Sequence, residues 1–151
     1  MKIGVIGLGF MGSTHLQAIS RISNARLVAV MDTNLARLGG DLSDIEGNLG
    51  IDGQKMDFTS VNTYSSLAEI LSDPQVEAVD ICLPTDLHAP VAIEALRAGK
   101  HVLVEKPIAL TGASADEMVS AAAENRRILM AGQVLRFSPA YQNLRDLVSS
   151  A

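Results

Sequence analysis

The feature that most narrows the fold is a series of short aliphatic blocks, at residues 3–6, 27–31, 78–83, 101–104 and 128–131, separated by longer stretches of helical period. Each block is strand-length and lacks polar alternation, the pattern of strands covered on both faces. One more short strand is expected at residues 61–64. Strands and helices that alternate in this way form βαβ units with right-handed crossovers, so the fold class is α/β, a doubly wound and mostly parallel sheet.

The helix ends carry their own signals. Ser66-Leu67-Ala68-Glu69 and Ser114-Ala115-Asp116-Glu117 each fit the capping box, in which Ser and Glu satisfy free amides reciprocally. Thr85 is expected to cap a helix over residues 87–98 that Gly99 stops, with Pro90 harmless in its first turn. Residues 139–150 read as a last helix with Leu144, Leu147 and Val148 on one side. Five glycines, at 39, 40, 47, 50 and 53, break up the stretch between the second and third strands.

Immediately after the first strand comes Gly7-Leu8-Gly9-Phe10-Met11-Gly12, a G-x-G-x-x-G loop opening a helix expected to run through Ile19. Each glycine has a physical reason to be there. Gly7 permits the tight turn, Gly9 lets backbone approach a pyrophosphate, and Gly12 lets the helix pack closely on its strand. The free amides at the helix N-terminus then face phosphate, so Gly7, Gly9, Phe10, Met11 and Gly12 are expected to bind a dinucleotide. Asp32 ends the second strand about 20 residues beyond Gly12, where the Rossmann fingerprint places an acid. Its carboxylate can accept the adenosine ribose hydroxyls and would repel a 2′-phosphate, which favours NAD over NADP. Arg37 is read as a solvated helix arginine rather than a phosphate ligand.

Charge and composition remove other classes. The net charge of −5 is spread along the chain without a basic stripe, and aromatics make up 3%, so nucleic acid is not an expected partner. The apolar runs are far shorter than a membrane span, and the N-terminus is a strand entering a glycine turn rather than a signal peptide. Cys82 is the single cysteine, so no internal disulfide forms and a reducing, cytoplasmic setting fits. It is read as a small buried hydrophobe on a strand. No metal ligand set is assigned.

A second group of residues adds a resemblance. Pro84-Thr85-Asp86-Leu87-His88 follows the fourth strand, and Gly99-Lys100-His101-Val102-Leu103-Val104-Glu105-Lys106-Pro107 contains the fifth. With His15 after the glycine loop and Arg136-Phe137-Ser138-Pro139-Ala140 after the last strand, the chain resembles the N-terminal, NAD-binding domain of the glucose–fructose oxidoreductase and inositol dehydrogenase (Gfo/Idh/MocA) family. The resemblance implies an oxidoreductase that passes hydride between a secondary alcohol of a sugar or polyol and a nicotinamide cofactor.

It implies Lys106 as the catalytic residue, beside the nicotinamide ring and the substrate hydroxyl. An ammonium held against that cationic ring gives up its proton more readily, which suits proton relay. Pro84 and Thr85 would line the adenosine and ribose side, His88 would sit at the helix start beneath the cofactor, Glu105 would contact the nicotinamide ribose, and Gln133 the carboxamide region. His15 is taken as structural, its ring packed against the first strand. A cis peptide is expected at Lys106-Pro107, turning the lysine back into the cleft.

Residues 1–134 are expected to form the dinucleotide-binding domain, and 135–151 a connecting helix toward a C-terminal substrate domain that lies outside this chain. That domain would hold further catalytic groups and the substrate wall, so the chain alone is expected to be inactive. A homo-oligomer is compatible with the resemblance. An alternative reading is a stand-alone dinucleotide-binding or regulatory module without activity; it leaves Glu105-Lys106-Pro107 without a purpose.

Overall fold

The computed structural model describes residues 1–45 and 55–150. Gly47, Gly50 and Gly53 of the glycine-broken stretch lie outside the described residues. The strands are β1 (Lys2–Ile6), β2 (Arg26–Met31), β3 (Asn62–Tyr64), β4 (Ala78–Ile81), β5 (His101–Val104) and β6 (Leu129–Ala131). Between and after them run α1 (Phe10–Ile19), α2 (Leu35–Leu38), α3 (Leu67–Ser72), α4 (His88–Arg97), α5 (Gly112–Asn125) and α6 (Pro139–Ser149). All strand pairings are parallel, in the order β3-β2-β1-β4-β5-β6. The winding direction therefore reverses between β1 and β4, and the loops leaving those two strands diverge to open a crevice at their carboxyl ends.

Successive strand residues point to opposite faces, and each face builds its own core. On one face Ile6, Val79, Ile81, Val102 and Val104 meet Ile70 of α3, Leu96 of α4 and Met118 of α5. On the other, Val5 and Val30 meet Leu16 and Ile19 of α1, with Leu42 and Ile45 beside them. The apolar part of this second layer lies over β1 and β2. Beside α1 an apolar groove of about 470 Å³ remains open, lined by Ile3, Ala78, Leu103, Ile128, Met130 and Phe137 among others. Burial on both faces thus holds for most of β1, β2 and β4, whereas β5 alternates and β6 has no fully buried residue. Helix α6 buries none of its residues; Leu144, Leu147 and Val148 are exposed.

The elements match the expected set with shifted ends. β4 stops at Ile81 rather than 83, β6 begins at Leu129, and Gly99 ends α4 as expected. The capping box at Ser66 forms: Glu69 accepts the Ser66 amide at 3.1 Å and its hydroxyl at 2.8 Å. The one at Ser114 does not. Thr111 caps α5 instead, accepting the Ser114 amide at 3.1 Å, because the helix starts a turn earlier and makes Ser114 the third helical residue. Thr85 is likewise not a cap. It opens a 3₁₀ turn (Thr85–Leu87), closed by the Leu87 amide donating to Pro84 O, and α4 follows with no side-chain cap.

Lys100 has a structural part that its place in the motif does not announce, for it is buried at the amino end of β5. Its Nζ donates to Asp73 O and Val76 O, both at 2.8 Å, tying the α3–β4 turn to the sheet.

Candidate active site

The register of the sheet brings the candidate residues to one edge. Ile6 pairs with Met31 on one side and Ile81 on the other, Ile81 pairs with Val104, and Val104 with Ala131. The five strands therefore end level, and the next residues (Asp32, Gly7, Cys82, Glu105 and Gly132) stand in a row along the carboxyl edge. Backbone bonds carry the row beyond the strands: Gly7 N–H to Met31 O, Cys82 N–H to Ile6 O, Glu105 N–H to Ile81 O and Gly132 N–H to Val104 O, between 2.8 and 3.0 Å.

The glycine loop is shaped by two backbone constraints. Gly7 has φ +91, in the left-handed region that favours glycine, and a Cβ on Gly12 would collide with the Gly7 carbonyl oxygen. Close approach of α1 to the end of β1 is what Gly12 permits. Gly9 differs: a Cβ there would meet nothing within 4 Å. That side of the loop is open space in front of the first turn of α1, whose Phe10, Met11 and Gly12 amides have no intrahelical acceptor. Gly9 supplies no side-chain cap and no acid lies in that turn. Three free donors at the positive end of a helix, facing space that a side chain would fill, fit a pyrophosphate.

Asp32 is buried at the end of β2, and its two oxygens accept the Leu8 amide at 2.6 Å and the Asn34 amide at 2.7 Å. The acid is thus bonded to the loop it follows in sequence by a full βα unit. Arg37 lies in α2 and is not a free surface cation: its Nη2 donates to Asp44 at 2.9 Å. That bond chiefly holds the guanidinium above its ordinary value.

Past β5, Glu105 is buried and Lys106 exposed. Glu105 Oε2 accepts the Lys106 amide at 3.0 Å, and the Lys106–Pro107 bond is cis. Among the described residues Lys106 Nζ makes no hydrogen bond or ion pair, which leaves it available at the edge. Pro84 is exposed and Thr85 half-buried just past β4, and Gln133 is exposed just past β6.

Three side chains depart from expectation. His88 is 1% exposed, and its ring nitrogens lie 2.8 Å from Pro107 O and from Leu83 O. It joins the loop after β4 to the loop after β5 from below, so it supports the crevice floor rather than reaching into the crevice. His15 also reaches beyond β1: its Nδ1 lies 2.8 Å from Asp80 Oδ2 and its Nε2 3.2 Å from Glu105 Oε1. Cys82 sits past the end of β4, half-buried, with Sγ 3.4 Å from His15 Nδ1, and burial followed by the charge of Asp80 pushes its thiol far above its usual value. Asp80 is the residue that sequence reasoning misses, although a lone acid inside the aliphatic block Ala78-Val79-Asp80-Ile81 is a visible signal.

Comparison with known proteins decides the family. The model of the GFO_IDH_MocA oxidoreductase family, NAD-binding Rossmann fold, matches residues 1–133. The chain belongs to this family. As a GFO_IDH_MocA domain it is 32% identical over 150 residues to myo-inositol 2-dehydrogenase of Thermotoga maritima, covering 99% of this chain and 41% of that protein. Scyllo-inositol dehydrogenase from Lactobacillus casei, solved with NAD(H) and scyllo-inositol, superposes with a TM-score of 0.80 at 27% identity, over 99% of this chain and 41% of that one. A 3-ketoreductase from Actinomadura kijaniata, solved with NADP and TDP-benzene, gives a TM-score of 0.83 at 25% identity, over 99% and 42%. The chain thus spans less than half the length of these GFO_IDH_MocA relatives and corresponds to their NAD-binding Rossmann domain.

Proposed function

We propose that this domain serves an oxidoreductase acting on a secondary alcohol of a sugar or polyol, with NAD preferred over NADP and Lys106 as the proton-handling residue. The observation that carries the reading is the level row of strand ends. It supports reading Gly7, Gly9, Phe10, Met11 and Gly12 as a phosphate cradle, Asp32 as a ribose acceptor and the Lys106 side chain as the proton-handling group, since all lie at one edge of one sheet. The inositol dehydrogenases among the relatives support the substrate class.

When bound, the nicotinamide supplies the hydride acceptor. The chain's own residues bind and orient around it. The first-turn amides of α1 hold the pyrophosphate, and Asp32 accepts ribose hydroxyls while its charge opposes a 2′-phosphate. Pro84 and Thr85 line the adenosine side, Glu105 holds the nicotinamide ribose, and Gln133 the carboxamide. Lys106 Nζ, as the neutral amine left once its own proton has passed to solvent, takes the proton from the substrate hydroxyl. His88 contributes by fixing the two loops that carry Thr85 and Lys106.

Residues 1–134 make up the cofactor domain in this reading, and α6 leads toward a substrate domain. The apolar side of α6 and the bare β5–β6 face are surfaces on which that domain or a second copy would pack, so a homo-oligomer belongs to the reading. Among the described residues no helix is long and apolar enough to cross a membrane. A cytoplasmic location agrees with the free thiol of Cys82. Calorimetric titration of the chain with NAD and with NADP tests the reading: NAD is expected to bind more tightly, and a preference for NADP overturns the role of Asp32.

A further inference from the structure

His15 lies in α1 three residues after Gly12, and its ring bridges Asp80 of β4 and Glu105 just past β5. Asp80 is 4% exposed and Glu105 6%. Two carboxylates buried to this degree are costly without a positive partner, and among the described residues their only ion pairs run to His15. Glu105 Oε1 has no hydrogen-bond partner, and His15 Nε2 lies 3.2 Å from it at ion-pair distance. Oε2 of the same side chain holds the Lys106 amide. A ring carrying two N–H groups faces both carboxylates with a donor, whereas a neutral ring leaves one of them facing a bare nitrogen.

We propose that His15 is a positioning residue: its ring clamps Asp80 to Glu105, and through Glu105 it fixes the Glu105–Lys106 step against which the cofactor is held. The proposal rests on the reading of Glu105 as a cofactor contact. His15 itself touches no reacting atom. His15, Asp80 and Cys82 also offer three donor atoms within 4.8 Å of one another, a spacing that could hold a metal ion. The ring nitrogen of that set is already engaged by Asp80, and burial keeps the thiol protonated, so the clamp is the arrangement the geometry favours.

The hydrogen bond that His15 donates to Asp80, acting against burial and joined by the charges of Asp80 and Glu105, holds His15 above its ordinary value. The groups facing the ring are Asp80 and Cys82 at the end of β4 and Glu105 after β5. His101 lines the same groove at the start of β5, with Nδ1 accepting the Ile128 amide at 3.0 Å. Because the folded value is raised, the clamp's contribution is complete below the ordinary histidine value. It is lost as pH rises through the raised one.

The test is calorimetric NAD titration of the chain from about pH 6 to 9, together with the NMR titration of the His15 ring. The parent is expected to bind NAD evenly at the acid end and to lose several-fold in affinity as the His15 ring deprotonates. His15→Gln, which keeps a donor but cannot titrate, should bind about tenfold more weakly at neutral pH with a flat profile. A parent that binds no NAD at any pH overturns the cofactor reading. A His15→Gln variant matching the parent at every pH leaves that reading standing and overturns the clamp. Should His15→Gln fail to fold, the ring titration decides. A midpoint above the ordinary value that falls in Glu105→Gln supports the clamp; a midpoint at or below it, or one unmoved by Glu105→Gln, overturns it.

Discussion

A side chain placed on Gly9 meets no protein atom within 4 Å, and the residue's φ of −74 and ψ of −164 are extended backbone that valine adopts without strain. Gly9→Val should therefore leave folding nearly intact. Valine is a poorer N-cap than glycine by about 1 kcal/mol, and the lost freedom of the unfolded chain returns about 0.4–1 kcal/mol. The melting temperature should move by no more than about 2–4 °C.

Binding should suffer far more, because the isopropyl group fills the space before the free amides of α1. Hydrogen bonds to a charged acceptor contribute about 1.5–3 kcal/mol each, so blocking two of them raises Kd for NAD by about a hundredfold or more. Gly12→Ala provides the contrast. Its Cβ would strike the carbonyl of Gly7, whose own amide is tied to Met31 O at 2.8 Å, and backbone so held cannot yield. That variant should lose about 1–3 kcal/mol of stability or more. Thermal melts and calorimetry on both variants separate the two effects. If Gly9→Val melts like the parent and binds NAD within about threefold of it, the pyrophosphate does not sit at this helix end.

Asp32→Ala should weaken NAD by about tenfold while changing NADP little, narrowing the gap between them; calorimetry on parent and variant checks this, and an unchanged ratio would remove Asp32 from cofactor selection. Lys100→Met strands the carbonyls of Asp73 and Val76, and should cost about 2–4 kcal/mol in denaturant unfolding; a loss under about 0.5 kcal/mol would show that the buried ammonium is not needed. A polypeptide limited to these 151 residues should bind NAD yet form no appreciable NADH from inositol, followed by absorbance. Without a wall holding the alcohol near the ring, a misplacement of about 1 Å alone costs about a hundredfold in rate. Turnover that is lost in Lys106→Ala would show the opposite.

Most of the sheet is legible in the sequence because parallel strands with crossover helices leave a strong periodic imprint, and the G-x-G-x-x-G loop marks where the order begins. Helix starts are less legible. Thr111 and Ser114 are both good caps in sequence, and only the docking of α5 on α4 decides between them. The bare face of β5 and β6 is not readable from their aliphatic composition, since Leu103 and Met130 look the same covered or open. Among site residues, those defined by backbone chemistry, such as Gly7 and Gly12, can be assigned from spacing alone. His15, Asp80 and Glu105 are far apart in sequence, and their meeting depends on the register that sets β4 beside β5. His88 shows the reverse difficulty: its place in a motif points to a ligand, while its depth gives both ring nitrogens to carbonyls.

The bond from the Leu8 amide to Asp32 has a consequence for redesign. Cofactor switching is commonly pictured as exchange of one acid for a neutral or basic residue at the end of the second strand. In this domain that exchange would also unfasten the loop proposed to receive the phosphates, because the acceptor for the Leu8 amide leaves with the acid. A 2′-phosphate would gain room just as the neighbouring cradle lost its anchor. Retargeting this domain to a phosphorylated cofactor is therefore a two-site problem, in which a neutral acceptor such as serine or asparagine must keep the loop in register while a cation is introduced elsewhere.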